Sequence, residues 1–431
     1  MQQNPLDVER YPVAPDGLEL EQVNVYVRHG ERTPVKVRMN EPPASIPENW
    51  AMCQQATRFF DAAGDLLNNG KGGGAQGPFR RAVETSDGRV VDGLCLLGEL
   101  TDTGRMSTLN YGLALRKLYI DKLGLLPNVL GQEQDVYFRS TNVPRTIESL
   151  EYIMHGLYPL NLRKAGVAPS LLVRNRVDEN LVSNTMACPR LAALELQFAE
   201  AAATLWNPKL ASLNDKVSKY IDGKPVKVNG SPRASGLLDT IRAAAAHDIE
   251  LPSEFRDDEL MRPLEDAVVD EWFRVTTEEA RKLAMGPLLT ELSRKMQDMV
   301  VAPEDAPKLL VHSTHDSGIA ALLNTLDVYD QRWPLFTAHI TFELFKKAAP
   351  VEKPGVLQTV MNFWKAKALD DEHYVRLRYD NKNLAMPFCA GEGEHLPGAP
   401  EFCTLSAFQK RVRELMPGDW KAECVNATAR T

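Results

Sequence analysis

Three short clusters in this sequence carry the residue types that handle oxyanions. The first is Arg28-His29-Gly30-Glu31-Arg32-Thr33-Pro34, two guanidiniums around one imidazole within five residues. A guanidinium presents a planar fork that matches phosphate oxygens and does not lose its charge. Two fixed cations favour an oxyanion docking on His29. They also favour the neutral imidazole, which leaves one ring nitrogen nucleophilic. Gly30 permits a close backbone approach to a ligand. The second cluster, Phe138-Arg139-Ser140-Thr141-Asn142-Val143-Pro144-Arg145, supplies Arg139 beside a helix start, whose N–H groups favour an anion. The third is His315-Asp316. His315 can donate to a phosphoryl oxygen, and Asp316 can pass a proton to a leaving oxygen.

Each element alone has an ordinary explanation. A histidine at a strand end is more often structural than catalytic. Arg139 could be an ion-pair partner, and Asp316 a helix N-cap. Three such clusters in this order, each after a strand, are much harder to obtain by chance.

Alternation and β-rich composition predict strands at 18–27, 135–139, 308–311, 339–345 and 374–379. Helices are predicted from Thr101, an N-cap, through 102–120, with Leu109, Leu113 and Leu118 on one face. Others follow Pro144 over 145–157, then 190–205, 235–247 and 277–299, the last opened by Thr276 and Thr277, and finally 317–323. The glycine cluster from Gly70 to Gly77 lacks the G-K-[ST] ending of a phosphate loop and reads as a surface loop. Strands ending in polar clusters alternate with helices, with a helical block between the second and third. This predicts an α/β fold with a central, mainly parallel sheet flanked by helices. Residues 1–160 and 300–431 would form the core and 161–299 an inserted helical domain. In such sheets ligands bind beyond the carboxyl ends of strands.

The chain of 431 residues has 44% hydrophobic and 25% charged residues, which excludes a largely disordered protein. Its formal net charge of -8 and lack of a basic run give no reason to expect a nucleic-acid partner. No apolar stretch is long enough for a transmembrane helix. The start, MQQNPLDVERYPVAPDG, does not read as a secretory signal or transit peptide. Cys53, Cys95, Cys188, Cys389, Cys403 and Cys424 include no C-x-x-C pair or zinc-finger spacing. Three lie near the C-terminus, where a disulfide-stapled segment and reduced structural thiols are both open readings. Sequons occur at Asn229 and Asn426, relevant only in a secreted chain.

The motifs RHGxRxP at Arg28–Pro34 and HD at His315-Asp316 resemble those of the histidine acid phosphatases, in branch 2 of the histidine phosphatase superfamily. Gly98-Glu99-Leu100-Thr101-Asp102-Thr103-Gly104 is similar to the family's helix start. Trp333–His339 is similar to the segment after HD, and Val375–Tyr379 with its downstream cysteines to the closing strand. The resemblance covers about residues 20–424. It implies that His29 becomes phosphorylated, that Arg28, Arg32, Arg139 and His315 hold the phosphoryl oxygens, and that Asp316 protonates the leaving group and then helps activate water. No metal or cofactor is implied, because the arginines supply the positive charge. Many relatives carry Asp where this chain has Asn142, which removes a carboxylate near Arg145.

The implied function is hydrolysis of small phosphate monoesters. Arg32, Pro34 and Asp316 favour this over the mutase branch, and the presence of both His29 and Asp316 disfavours a non-catalytic phosphate-binding protein. Lysophosphatidate phosphatases, general acid phosphatases and phytases share the motifs. Lys36 and Arg38 could receive extra phosphates, as phytate requires, but read more readily as solvated loop charges. The missing leader and moderate cysteine count lean toward an intracellular, lysophosphatidate-type enzyme, or a secreted one if a leader has been removed.

Overall fold

The computed structural model describes residues 5–54, 82–275, 277–348 and 372–425. The Gly70–Gly77 cluster, Thr276 and the sequon at Asn426 lie outside these residues. The chain divides into two compact units. One holds His29–Thr108 and Ala202–Val268; the other holds the residues up to Arg28, Leu109–Ala201 and Val269–Thr431. The block anticipated as one insertion, 161–299, is therefore shared between them, with its middle in the first unit.

The strands are β1 (Leu18–Arg28), β2 (Val83–Glu84), β3 (Val90–Val91), β4 (Val136–Ser140), β5 (Leu171–Val173), β6 (Leu309–Thr314), β7 (His339–Lys347), β8 (His373–Tyr379), β9 (Lys382–Leu384), β10 (His395–Leu396) and β11 (Ala399–Thr404). The principal helices are α1 (Asp102–Arg116), α2 (Pro144–Leu157), α3 (Pro189–Leu210), α4 (Ala234–Ala246), α5 (Asp258–Phe273), α6 (Glu278–Val301), α7 (Asp316–Thr325) and α8 (Leu405–Leu415). In the first unit β2 and β3 form a short hairpin. The second unit carries a nine-stranded sheet in the order β10-β11-β8-β7-β1-β6-β4-β5, with β9 against β8.

Strand β1 alternates only at its start and is buried without interruption from Gln22 to Arg28, because both faces of the sheet are covered. Val23, Val25 and Val27 pack with Leu115 of α1 and with Leu150 and Ile153 of α2. Tyr26 belongs to the opposite core, with Leu289 of α6, Leu322 of α7 and Phe408 of α8. Strands β1, β6, β4 and β5 pair in parallel. Their registers place Arg28 opposite Thr314 and Ser140 opposite Ser313, so the sequence clusters of this unit emerge at one edge. On the other side β7, β8 and β11 add by antiparallel pairing. The α/β class holds, in a mixed sheet whose parallel half carries the motif strands.

Several elements depart from the sequence reading. Strand β6 runs on to Thr314, because His312 is buried and stacks on Tyr26 at 4.5 Å. In α1 the Thr101 hydroxyl does cap, accepting from the Gly104 N–H at 3.2 Å. Leu113, however, is 47% exposed, and the buried line runs through Tyr111, Gly112 and Leu115. A Cβ on Gly112 would sit 2.3 Å from the Ile153 carbonyl oxygen, so close contact with α2 selects that face. Helix α5, hidden in the sequence by Pro263, is continuous. Strand β8 does not close the fold: the chain returns through β9, β10 and β11 to α8.

All six cysteines are paired, Cys53 with Cys95, Cys188 with Cys424 and Cys389 with Cys403. The reading as reduced thiols is overturned, and so is the argument from cysteine count for an intracellular enzyme, since such bonds persist in oxidising compartments. Among the described residues no helix is long and apolar enough to cross a membrane.

Burial on α3 pushes the Glu195 carboxyl up to about 7, against a hydrogen bond from Ser183. A folded-state value above the unfolded one gives stability that is present in acid and lost as pH rises through 7. Glu195→Gln should therefore leave stability and Tm unchanged near pH 4 and raise both near pH 8, the gain in stability being no more than about 3 kcal/mol before solvent screening at this partly exposed site. Thermal melts at the two pH values measure this, and an equal shift at both would contradict it.

Candidate active site

In the second unit the carboxyl end of β1 delivers Arg28 to the start of α7. Its Nη2 pairs with Asp316 Oδ2 at 2.7 Å, its Nη1 donates to the Pro334 carbonyl at 2.6 Å, and its guanidinium lies 4.2 Å over the Phe336 ring. Asp316 is not an N-cap but the first residue of α7, after His315 in extended conformation. Its Oδ1 accepts from the Ser317 N–H at 2.8 Å, and its Oδ2 also accepts from the Trp333 indole at 3.2 Å. The carboxylate is thus held on one oxygen by a cation and an indole, with its side chain 15% exposed.

His315 lies between two groups from the β4–α2 turn. Its Nε2 is 3.0 Å from the Thr141 hydroxyl and its Nδ1 is 3.5 Å from Arg145 Nη2. A guanidinium can only donate, so Nδ1 faces it as the acceptor and the ring proton belongs on Nε2. Pro144 opens α2, which places Arg145 in its first turn.

Arg139, expected among the phosphate ligands, is engaged elsewhere. Its side chain is 1% exposed. Nη2 pairs with Glu179 at 2.6 Å and also bonds Asn180, while Nη1 reaches both Glu291 oxygens at 3.2 Å. Burial opposes its charge, yet the two carboxylates more than offset this and hold its pKa above the ordinary value. The arginine beside His315 is Arg145, and its signal in the sequence was its place just after the helix-opening proline.

In the first unit His29 Nδ1 is 2.8 Å from the Gly30 carbonyl. A carbonyl only accepts, so the proton sits on Nδ1 and Nε2 is the unprotonated nitrogen. Gly30 is required by packing: a Cβ there would fall 2.4 Å from the Gly104 carbonyl oxygen, and one on Gly104 would fall 2.2 Å from that of Glu31. The two glycine motifs of the sequence therefore interlock. Arg32 Nη2 pairs with Asp239 of α4 at 2.9 Å, and Nη1 donates to the Thr33 carbonyl at 2.9 Å. Arg38 approaches the same Asp239 at 3.9 Å. Lys36 stays exposed on a shallow cleft that Trp50, Leu96 and Leu97 also line. Thr101 bridges the Glu31 carbonyl and His247 Nε2, at 3.2 and 2.7 Å. Burial lowers the pKa of His247.

Within the second unit Arg28, Arg145, His315 and Asp316 lie just beyond the carboxyl ends of parallel strands, a set of groups suited to an oxyanion. Residues 19–380 match the model of the histidine phosphatase superfamily (branch 2). The chain belongs to this family. A probable acid phosphatase of Schizosaccharomyces pombe is 37% identical over 448 aligned positions, 95% of each chain. The human lysophosphatidic acid phosphatase type 6 is 28% identical over 348 positions, 78% of this chain and 76% of that one. Among solved structures the apo phytase of Hafnia alvei superposes with a TM-score of 0.57 at 16% identity, covering 96% of this chain and 100% of that one, a likeness of fold. The family activity is that of a phosphoric monoester hydrolase.

Two arginine substitutions separate the roles read from this geometry. Arg145→Ala should leave the fold intact and weaken inhibition by inorganic phosphate about tenfold or more, the loss of a charge-assisted contact. Arg139→Ala should instead cost about 3–5 kcal/mol of stability, because Glu179 and Glu291 lose their buried cation. Phosphate inhibition and denaturant unfolding, measured on both variants, decide the matter; reversed phenotypes would return Arg139 to the phosphate.

Proposed function

We propose that this enzyme hydrolyses phosphate monoesters through a covalent phosphohistidine, with His29 as nucleophile and Asp316 as proton donor. Nε2 of His29 attacks phosphorus and the ester P–O bond breaks. The leaving oxygen takes the proton of the Asp316 carboxyl group. Water then attacks the phosphohistidine, Asp316 takes its proton, and the P–N bond breaks to release phosphate. Arg28, Arg32, Arg145 and His315 hold the phosphoryl oxygens and stabilise their charge. The observation that carries this reading is the 2.7 Å pair of Arg28 and Asp316. It sets the proton donor beside a phosphate-type cation whose next residue is the nucleophile.

We further propose that the leaving group is apolar, as in a lysophosphatidate-type lipid, rather than a polyphosphate. Trp272 is 54% exposed and packs edge-on at 6.3 Å against Trp333, whose indole holds Asp316. Asn324 of α7 bonds the Phe273 carbonyl at 2.7 Å, and so pins the end of α5 that bears Trp272. Leu96 and Leu97 are about half exposed on their cleft. The two cations considered for phytate, Lys36 and Arg38, both line the cleft, but Arg38 faces Asp239 at 3.9 Å. The name of the human relative supports the same reading. The three disulfides support maturation in an oxidising compartment.

His29→Ala should abolish turnover and the acid-labile phosphoenzyme; a variant that retains both would sink the covalent route. Asp316→Asn should lower kcat about a hundredfold or more on a plain alkyl phosphate, and far less on p-nitrophenyl phosphate, whose leaving group needs little protonation. For the substrate, Trp272→Ala should raise KM for lysophosphatidate about tenfold, the worth of a well-buried apolar contact, and leave glycerol 2-phosphate unchanged. If phytate is the better wild-type substrate, or if both esters respond alike, the apolar reading fails.

A further inference from the structure

We propose that the Arg139–Glu179 ion pair positions Asp316, acting through the backbone of Leu181; this rests on the phosphatase reading above. Glu179 Oε1 accepts from Arg139 at 2.6 Å and from the N–H groups of Asn180 and Leu181 at 2.9 and 2.8 Å. One carboxylate oxygen thereby fixes the turn at 179–181 on a side chain of β4. Asn184 closes the same loop, its amide donating to the carbonyls of Arg176 and Glu179 at 2.9 Å each.

With its N–H turned inward, Leu181 presents its carbonyl to the neighbouring strand. That oxygen accepts from the Thr314 hydroxyl at 2.7 Å. It also lies where a Cβ on Gly318 would come within 2.3 Å. Thr314 is the last residue of β6, and Gly318 lies in the first turn of α7. His315 and Asp316 lie between these two contacts. The loop therefore touches the chain on both sides of the catalytic pair.

The arrangement also explains why Arg139 carries two carboxylates. Glu291 of α6 already compensates it, and in addition pairs with Arg174 and Lys295, each at 3.0 Å. Charge balance alone could be met from α6. Glu179 takes the Asn180 and Leu181 N–H groups of the loop, whereas Glu291 meets it at the Asn180 side chain, at 3.1 Å. A proton donor must meet the leaving oxygen at hydrogen-bond distance, and a displacement of about 1 Å can cost about a hundredfold in rate. A rigid strut behind Asp316 controls that distance.

The test uses Glu179→Gln and Thr314→Val, two near-isosteric changes at opposite ends of the strut, and their double variant. On glycerol 2-phosphate, a poor leaving group, each single variant should lose about tenfold or more in kcat. On p-nitrophenyl phosphate the loss should be several times smaller, with KM and inhibition by inorganic phosphate within about twofold of wild type on both esters. The double variant should lose no more than the worse single one, because both act through one carbonyl. Equal proportional losses on the two esters, or losses that multiply, would overturn the proposal. Should Glu179→Gln fail to fold, the leaving-group ratio of Thr314→Val decides alone. A wild-type enzyme inert toward both esters would refute the phosphatase reading instead.

Discussion

Guanidinium groups withdrawn from water must each be given a carboxylate, and the placement of those pairs organises this molecule. Arg28 has Asp316, Arg32 has Asp239, and Arg139 has Glu179 and Glu291. The same rule operates deep in the sheet, where Glu343 of β7 accepts from Arg376 of β8 at 2.7 Å and from Tyr11 and Tyr119 at 2.8 Å each. An unpaired buried charge costs several kcal/mol, whereas a fully satisfied one is close to neutral in stability. Such pairs therefore add little net stability, and what they fix is position. For an enzyme that must gather cations around an anionic substrate, the resting carboxylates also relieve the repulsion between those cations.

The distinction between a cation that meets substrate and one that does not follows from its partners. Arg139 is enclosed on both Nη groups, and a phosphoryl group would have to displace two carboxylates to reach it. Lys295 shows the same confinement: burial brings its pKa down to about 8 against the pull of Glu291, and its ammonium lies 3.3 Å from His312. Arg28 differs, because its carboxylate partner is the group proposed to carry the proton.

Much of this was legible in the chain, and the limits have physical causes. Strand periodicity and the polar residues at strand ends are local, so β1, β4, β6 and the clusters after them could be read directly. Helix α2 was announced by Pro144. The role of Arg139 was not, because what decides it is Glu179 and Glu291, 40 and 152 positions away in sequence. The buried face of α1 was misjudged for a related reason: apolar periodicity pointed to Leu113, while a glycine contact with α2 turned the helix elsewhere. The cysteine pairs join positions 42, 236 and 14 residues apart, which no spacing rule dictates. Gly30, read as room for a ligand, is room for Gly104.

The resting contact between Arg28 and Asp316 bears on how one carboxyl group can serve both half-reactions. In the resting site the cation and the Trp333 indole hold Oδ2. An arriving phosphate monoester brings negative charge to Arg28 and competes for its N–H groups. On the proposed mechanism, a guanidinium that turned to the phosphoryl oxygens would release Asp316 to carry a proton to the leaving oxygen. Once the alcohol has left, the ionised carboxylate is again the better partner for Arg28 and is ready to accept a proton from water. Substrate charge would thus set the protonation of its own catalyst, through a single guanidinium shared between the phosphate and the acid.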